Sequence, residues 1–277
     1  MKKIIVVFLL IALFGLLYYL NLNYRKQFIK KDTLEIAPGG LNLTKAVEDG
    51  LSLLEKRRDS LALVEFEKVL AVDSVNIKAL WGKAEVLRRD YKFSEAQNLL
   101  QEILRQDPMY IPAQISVCYI RYHDDKLKEA MKMAKDLLSR VDIDTKNKAI
   151  VYMLMGSINA RRSSKGGFFS KLSYGTQIRR YFQKAADLAP GLSEAHLGLG
   201  SFYLKAPGIA GGNIDKAILE LEKAVELTPD FATANARLAQ AYKKKGDLAK
   251  FQHYLQRARE LDPDNEALAE ISQEQAK

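Results

Sequence analysis

The residue types that most often perform chemistry are few and widely spaced in this chain. The three histidines, His123, His196 and His253, lie far apart in the sequence, and Cys118 is the only cysteine. A single cysteine excludes an intrachain disulfide and a cysteine-rich zinc site. The patterns H-E-x-x-H and G-x-S-x-G, typical of zinc peptidases and serine hydrolases, do not occur. We therefore predict no catalytic residue, no metal site and no cofactor.

A glycine-rich segment that ends in a lysine, residues 208–216, invites comparison with a phosphate-binding loop. Such a loop needs adjacent Gly-Lys-Ser or Gly-Lys-Thr residues after a β-strand. This segment has no Gly-Lys pair and lies between two runs with helical periodicity. We interpret residues 206–213 as an insertion at a turn, where glycines supply backbone conformations with positive φ.

The charge of the chain is unevenly distributed. Its 43 Lys and Arg residues exceed its 34 Asp and Glu residues, which gives a net charge of +9. Such an excess favours an acidic partner, such as lipid head groups, nucleic acid or an acidic protein. The interval between Asp144 and Asp187 contains nine cations and no acidic residue. This interval therefore accounts for the whole excess.

Within this interval, residues 163–175 combine glycine and serine with apolar side chains, so we expect a loop there. Apolar residues ringed by cations suit an anionic lipid surface or an acidic protein. Nucleic acid is less favoured, because cations and stacking aromatics alternate only in this one loop. The alternative is that the aromatics pack against the domain and the cations are solvated. The predicted contact loop comprises Arg161, Arg162, Lys165, Phe168, Phe169, Lys171, Arg179 and Arg180.

The beginning of the chain has the character of a membrane anchor. Residues 4–24 contain no charged side chain. As a helix at about 1.5 Å per residue, they would cover about 30 Å, the thickness of the hydrocarbon core of a bilayer. Lysines precede this run, and tyrosines and further cations end it. We predict an uncleaved transmembrane anchor over residues 1–23 and a linker over residues 24–42; a cleaved signal peptide and a buried core helix are the alternatives.

The orientation of this anchor rests on opposing signals. A short cationic N-terminus is difficult to translocate, which favours an N-terminus in the cytoplasm. The larger group of cations that follows the apolar run favours the reverse. We expect a single-pass protein of a bacterial inner membrane with its main domain on the periplasmic side.

The remaining sequence repeats itself with a period close to 34 residues. Pro229 and Pro263 lie 34 residues apart, and between them two apolar-periodic runs flank a turn at 245–247. Six such units fit within residues 43–265, with insertions near 163–175 and 206–213. Residues 266–277 are predicted to form a helix that caps the last apolar face. The first run of each unit carries a residue at one position that is small in all six: Gly50, Ala84, Cys118, Gly156, Gly200 and Ala239.

This pattern resembles the tetratricopeptide repeat (TPR) family. The fifth unit carries that family's marker residues at Gly200, Tyr203, Ala217, Leu221, Ala224 and Pro229. The resemblance implies an all-α solenoid of helix-turn-helix units, which must stack because one pair of helices cannot bury its apolar face alone. It also implies a concave groove, lined mainly by the first helix of each unit, that binds proteins or peptides.

The groove positions are apolar in every unit, which allows two interpretations. Large side chains there can anchor a bound peptide, or they can simply pack between neighbouring helices. We predict that a partner-binding groove is formed by Trp81, Ile115, Tyr119, Tyr122 and Met153.

The function expected from these features is that of a membrane-anchored, non-catalytic scaffold for protein–protein interaction, acting in bacterial envelope assembly or quality control. The alternative is a helical-repeat subunit of a solute transport system that docks a binding protein. An enzyme is the least favoured class, because the sequence carries no catalytic pattern.

Overall fold

The computed structural model describes residues 42–166 and 168–275, with the side chains of 168–173 and 274–275 left out. The predicted anchor over residues 1–23 lies outside this part of the chain, as does all of the predicted linker except Asn42. Among the described residues, no helix is both long enough and apolar enough to cross a membrane.

The described chain folds into thirteen α-helices, which confirms the predicted all-α repeat solenoid. Six helical pairs are followed by one terminal helix. The helices are α1 (Leu43–Glu55), α2 (Asp59–Val72), α3 (Ile77–Arg89), α4 (Phe93–Gln106), α5 (Ile111–His123), α6 (Leu127–Leu138), α7 (Thr145–Lys165), α8 (Phe168–Leu188), α9 (Ser193–Lys205), α10 (Ile214–Leu227), α11 (Ala232–Lys245), α12 (Leu248–Leu261) and α13 (Glu266–Gln275).

The helices stack in chain order. Each helix packs against the next one, and the first helix of each pair also packs against the first helix of the following pair. The helices α1, α3, α5, α7, α9 and α11 therefore form one continuous inner layer, whereas the second helices form the outer layer. Several helices begin at a side chain that accepts a hydrogen bond from a backbone N–H three residues later; these residues are Asn42, Asn76, Asp144, Asn213 and Asp247.

Two phenylalanines fill gaps that glycines leave in the inner layer. Phe66 on α2 is fully buried, and a Cβ atom added to Gly82 would lie 2.2 Å from its ring. A Cβ atom at Gly50, on the other side of the ring, would lie 2.6 Å from it. Phe182 on α8 occupies the equivalent place between glycines of α7 and α9. The absence of a Cβ atom thus permits close packing of three helices around one aromatic ring.

The solenoid winds far enough for its first pair to meet its fifth and sixth pairs. Arg57, in the turn between α1 and α2, forms an ion pair of 2.6 Å with Glu194 at the start of α9. The guanidinium of Arg57 also lies 4.1 Å from the ring centroid of Phe231, next to α11. Arg58 lies 3.5 Å from Asp230. These contacts close the concave face across the axis of the solenoid.

The prediction of a loop over residues 163–175 is wrong. Helix α7 continues to Lys165 and α8 begins at Phe168, and each has 21 residues, compared with 12 to 14 in the other paired helices. The added residues lengthen both helices, which pack against each other. Ser163 and Gly175 are buried in this extended hairpin. Tertiary packing therefore overrides the low helix propensity of glycine and serine.

The second insertion forms a turn with a short 3₁₀ segment, Gly208–Ala210. Gly211 has a φ of +95°, a conformation that glycine adopts most readily. A Cβ atom on Gly212 would lie 1.8 Å from the backbone oxygen of Ala206. Gly211 is thus favoured by its backbone conformation and Gly212 by close packing at this turn.

Candidate functional site: the concave face

The five residues predicted to form the groove differ in how accessible they are. Ile115 is 4% exposed and Met153 is 6% exposed, and both side chains pack in the hydrophobic core. Trp81, Tyr119 and Tyr122 are partly exposed. Of the five predicted groove residues, these three aromatic ones are therefore the ones open to a partner, and their role as anchors stays a prediction.

A hydrogen-bond network links the aromatic groove residues to buried charges. Trp81 donates from Nε1 to Ser116 Oγ at 3.1 Å, and Ser116 donates to Glu85 Oε1 at 2.6 Å. Arg88 binds both oxygens of Glu85, at 2.9 and 2.8 Å. The guanidinium of Arg88 lies 4.4 Å from the ring centroid of Tyr119. The network holds these side chains of α3 and α5 in fixed positions.

The electrostatics of this network favour a permanently charged pair. Burial alone would raise the pKa of Glu85, but the charges of Arg88 and Arg89 and the bonds from Arg88 and Ser116 lower it to about 2. Burial also opposes the charge of Arg88, yet Glu85 raises the pKa of Arg88 above its usual value. Burial raises the pKa of Tyr119. The Tyr119 hydroxyl is therefore neutral at physiological pH and can serve as a hydrogen-bond donor.

A second group of charges lies next to the first. Arg89 donates to Asp59 Oδ1 at 2.7 Å and to the backbone oxygen of Leu54 at 2.8 Å. Burial and the nearby charge of Arg57 lower the pKa of Arg89. Glu194 accepts a hydrogen bond from Arg57, and the charges of Arg57 and Arg89 lower its pKa. Three arginines and three carboxylates thus form a balanced cluster in the concave face.

The sequence patterns described above do not point to this cluster. The spacing of Glu85 and Arg88, three residues apart on α3, is a local signal that could have indicated a helical ion pair. No comparable signal exists for Arg57 and Glu194, because these partners lie 137 residues apart in the sequence.

The predicted contact loop is divided between two places. Lys165 forms an ion pair with Asp125, and the Arg161 Nε atom lies 3.4 Å from the same carboxylate. Arg162 donates to the backbone oxygen of Leu127 at 2.8 Å. These three cations of α7 therefore bind the neighbouring turn rather than facing solvent alone.

The cations of α8 have a different environment. Arg179, Arg180 and Lys184 are exposed along one face of this helix, next to an open cavity of about 440 Å³. Phe168, Phe169 and Lys171 belong to the first turn of α8, but their side chains are outside the described part. We call the three exposed cations Arg179, Arg180 and Lys184 the α8 basic face.

The outer face of α2 carries three exposed apolar side chains beside the exposed charges of Glu67 and Lys68. Leu61 is 54% exposed, and Val64 and Val72 are each 50% exposed. Single exposed apolar residues are ordinary, but a row of them on one helix indicates a contact surface. This row is a further candidate surface for a partner.

Cys118 and His196 lie in structural environments and not in a reactive site. Cys118 is fully buried, as its place at a small-residue position predicted, and burial raises the pKa of its thiol to about 12. His196 lies 2.7 Å from Glu220 and 3.0 Å from the backbone oxygen of Pro190. Within residues 42–166 and 168–275, no cluster of three or more His, Cys, Asp or Glu residues could hold a metal ion.

Two family models match the C-terminal part of the chain. A TPR repeat model matches residues 209–246, and a tetratricopeptide repeat model matches residues 232–265. These matches confirm tetratricopeptide repeats over residues 209–265, which contain α10, α11 and α12. Such repeats generally mediate protein–protein interaction.

One curated relative and two solved structures extend this likeness. A DnaJ homolog subfamily C member 7 homolog of Dictyostelium discoideum is 24% identical over 236 residues, which are 81% of this chain. This chain spans 42% of the length of that relative. A thermophilic TPR protein of Thermus thermophilus is 19% identical, with a TM-score of 0.56, over 70% of this chain and 95% of its own.

The second structure is that of the human IFIT1 dimer with PPP-AAAA. It is 21% identical to this chain, with a TM-score of 0.58, and the match covers 79% of this chain and 50% of IFIT1. At these identities the two structures establish the fold of this chain and nothing about its ligand.

Proposed function

We propose that this protein is a membrane-anchored, non-catalytic scaffold that binds partner proteins or peptides through the concave face of its repeat solenoid. The observation that carries the proposal is the stack of six helical pairs with tetratricopeptide repeats in its C-terminal part. We place this scaffold in bacterial envelope assembly or quality control, with the repeat domain on the periplasmic side of the inner membrane.

The partly exposed aromatics of the concave face support peptide binding. Large aromatic side chains contribute most of the binding energy in many interfaces, because they exclude water over a large area at low entropic cost. Trp81 and Tyr119 are held by hydrogen bonds to Ser116 and Met153 and by the Arg88 guanidinium, so little of their freedom remains to be lost on binding.

The uncharged run over residues 4–24 supports the anchor. Extraction of native membranes with alkaline carbonate should leave the full chain in the pellet, and its release into the supernatant would contradict the anchor. A reporter that is active only in the periplasm, fused after residue 277, should be active. An inactive reporter on a membrane-bound chain would reverse the proposed orientation.

The α8 basic face supports a second contact with an anionic lipid surface. Each cation near such a surface contributes about 1 kcal/mol, and this attraction falls within a Debye length. The fragment 43–277, which lacks the proposed anchor, should therefore lose salt-sensitive binding to vesicles that contain anionic lipid when it carries Arg179→Gln, Arg180→Gln and Lys184→Gln. The matched control replaces Lys128, Lys132 and Lys135, which are exposed on α6. Equal binding of both variants would contradict the contact.

The scaffold proposal is tested by photo-crosslinking in native membranes followed by mass spectrometry. A crosslinking amino acid at Tyr122 or Trp81 probes the concave face, and one at Val64 probes the outer apolar row of α2. Asn98, a polar exposed residue on the outer side of α4, provides the control position. We expect a defined partner at Tyr122 or Trp81 that is absent at Asn98. Crosslinks that are the same at all positions would contradict partner binding in the concave face.

A further inference from the structure

Three turns of the solenoid contain a side chain where the backbone favours glycine. Arg57, Tyr91 and Asp125 have φ values of 60°, 58° and 63°, in the left-handed region. They occupy equivalent positions in the first three helical pairs, and Gly246 holds the same position in the sixth pair with a φ of 88°. Non-glycine residues adopt this region at a cost, which directs attention to what the side chain does there.

The side chain of Arg57 enters a site built by the fifth and sixth pairs. Its Nη2 atom donates to Glu194 Oε1 at 2.6 Å, and its guanidinium lies 4.1 Å from the ring centroid of Phe231. The side chains of Arg57 and Glu194 are 21% and 25% exposed. A carboxylate combined with an aromatic face is the environment that a guanidinium prefers, since it offers both a charge-assisted hydrogen bond and a cation–π contact.

Glu194 is prepared to accept a cation. Ser193 Oγ donates to its second oxygen at 3.2 Å, so the carboxylate has a fixed orientation. Burial would raise the pKa of Glu194, but the charges of Arg57 and Arg89 keep it below its usual value. Because Arg89 binds Asp59 and Arg88 binds Glu85, removal of Arg57 leaves Glu194 without a direct ion-pair partner. Arg57 is therefore the cation that pairs directly with Glu194 in this site.

We propose that Glu194 and Phe231 form a receptor for an arginine side chain, and that Arg57 fills this receptor within the chain. A partner protein that presents an arginine enters the concave face by displacing Arg57. This inference rests on the proposed function and adds to it the chemistry of the partner. Displacement also releases the turn between α1 and α2 from the fifth and sixth pairs. The remaining contact there, between Arg58 and Asp230, is longer at 3.5 Å, and Arg58 is 55% exposed.

The receptor is tested with N-acetyl-arginine amide as the probe, titrated calorimetrically into the full chain in detergent micelles. The variant Arg57→Gly empties the site, and glycine suits the positive φ of this position. We expect this variant to bind the probe at least tenfold more tightly than the unmodified chain. The double variant Arg57→Gly/Glu194→Gln should lose this gain, and N-acetyl-citrulline amide, which lacks the charge, should not bind.

Arg58→Ala provides the matched control, because it removes the adjacent arginine but leaves the receptor filled. Its affinity for the probe should equal that of the unmodified chain. Equal affinity in the Arg57→Gly variant, or a gain that persists without Glu194, would overturn the receptor. Arg57→Gln provides a second empty-site variant with the same expected gain, for use where the glycine variant fails to fold.

The two proposals fail in different ways. The titration needs no natural partner. Tight binding of the probe together with an absence of crosslinks at both Tyr122 and Trp81 would therefore overturn the scaffold function and leave the receptor intact. Crosslinking to a partner that is unchanged in yield by Arg57→Gly would instead overturn displacement of Arg57 by that partner.

Discussion

Ser116 links the partly exposed indole of Trp81 to the buried carboxylate of Glu85. Its hydroxyl accepts from Trp81 at 3.1 Å and donates to Glu85 at 2.6 Å. Its side chain is 2% exposed, so water cannot replace these bonds without a rearrangement. The position of Trp81 in the concave face therefore depends on a small polar residue of the next repeat.

Replacing Ser116 with alanine should lower the free energy of unfolding by about 1–3 kcal/mol. The substitution leaves the Trp81 N–H without a hydrogen-bond partner and removes one hydrogen bond that the Glu85 carboxylate accepts. Denaturant unfolding of the full chain measures this loss. Ser157→Ala is the control, since Ser157 bonds only within its own helix, to Met153. Equal losses in the two variants would argue against the network.

His123 gives the stability a defined pH dependence. It stacks on Phe93 with ring centroids 4.9 Å apart, and burial together with the charges of Arg88 and Arg161 lowers its pKa to about 4. An unfolded histidine binds its proton near a pH of about 6.5. The unfolded chain therefore binds more protons between these two values, and acidification through this window destabilises the fold. Above the window the histidine is neutral in both states and the effect is absent.

The variant His123→Gln should lose less stability than the unmodified chain on acidification from about pH 6.5 to about pH 4. The comparison is made by denaturant unfolding at each pH. His253→Gln, at an exposed histidine of α12, should retain the full acid loss and so serves as the control. An identical pH profile for both variants would contradict burial of neutral His123.

At the scale of the helices, the close approach of α1, α2 and α3 depends on residues that lack a side chain. A Cβ atom at Gly82 would lie 2.2 Å from the Phe66 ring, a distance that no real contact tolerates. Gly175 on α8 provides the opposite case, because no atom lies within 4 Å of its added Cβ. The two glycines therefore serve different purposes although both lie within helices.

Gly82→Ala should destabilise the fold by about 1–3 kcal/mol through overpacking. Adding Phe66→Leu should recover part of that loss, because the smaller side chain makes room for the methyl group. Gly175→Ala should instead leave stability unchanged or raise it by up to about 1 kcal/mol, since alanine favours helix more than glycine does. Thermal unfolding of the three variants shows whether each one is less or more stable than the unmodified chain. A Gly82→Ala variant with unchanged stability would contradict the packing of Phe66.

At the scale of the whole molecule, side-chain contacts also join repeats that are distant in the sequence. The ion pairs that join the first pair to later ones include Arg57 with Glu194, Arg58 with Asp230 and Glu55 with Lys146. In the ion pair of Glu55 with Lys146, both side chains are 64% exposed. Exposed ion pairs contribute at most about 1 kcal/mol to the free energy of unfolding. The contact of Arg57 with both a carboxylate and an aromatic ring is the one that we expect to maintain closure.

The variant Arg57→Gly should therefore increase the radius of gyration measured by small-angle scattering while the helix content stays constant. Lys146→Gln, which removes the exposed pair with Glu55, should leave the radius unchanged. A compact Arg57→Gly variant would show that neighbouring repeats alone determine the curvature.

The repeat architecture could be predicted from sequence because it is local. Small residues recur about every 34 positions, and apolar residues recur with helical periodicity, so each unit specifies its own pair of helices. The buried place of Cys118 and the turn at Gly246 follow from the same register. These features depend on contacts within one repeat and with its neighbours, which a periodic pattern encodes directly.

The closed concave face was decided only by tertiary structure. Residues 163–175 have the composition of a loop, but residues 163–165 and 168–175 belong to two long helices that pack against each other. Ile115 and Met153 occupy groove positions but are buried by the adjoining helices. The contact between Arg57 and Glu194 joins residues 137 positions apart. Small rotations between successive repeats accumulate to bring these two residues together. No local pattern in the sequence specifies the total rotation.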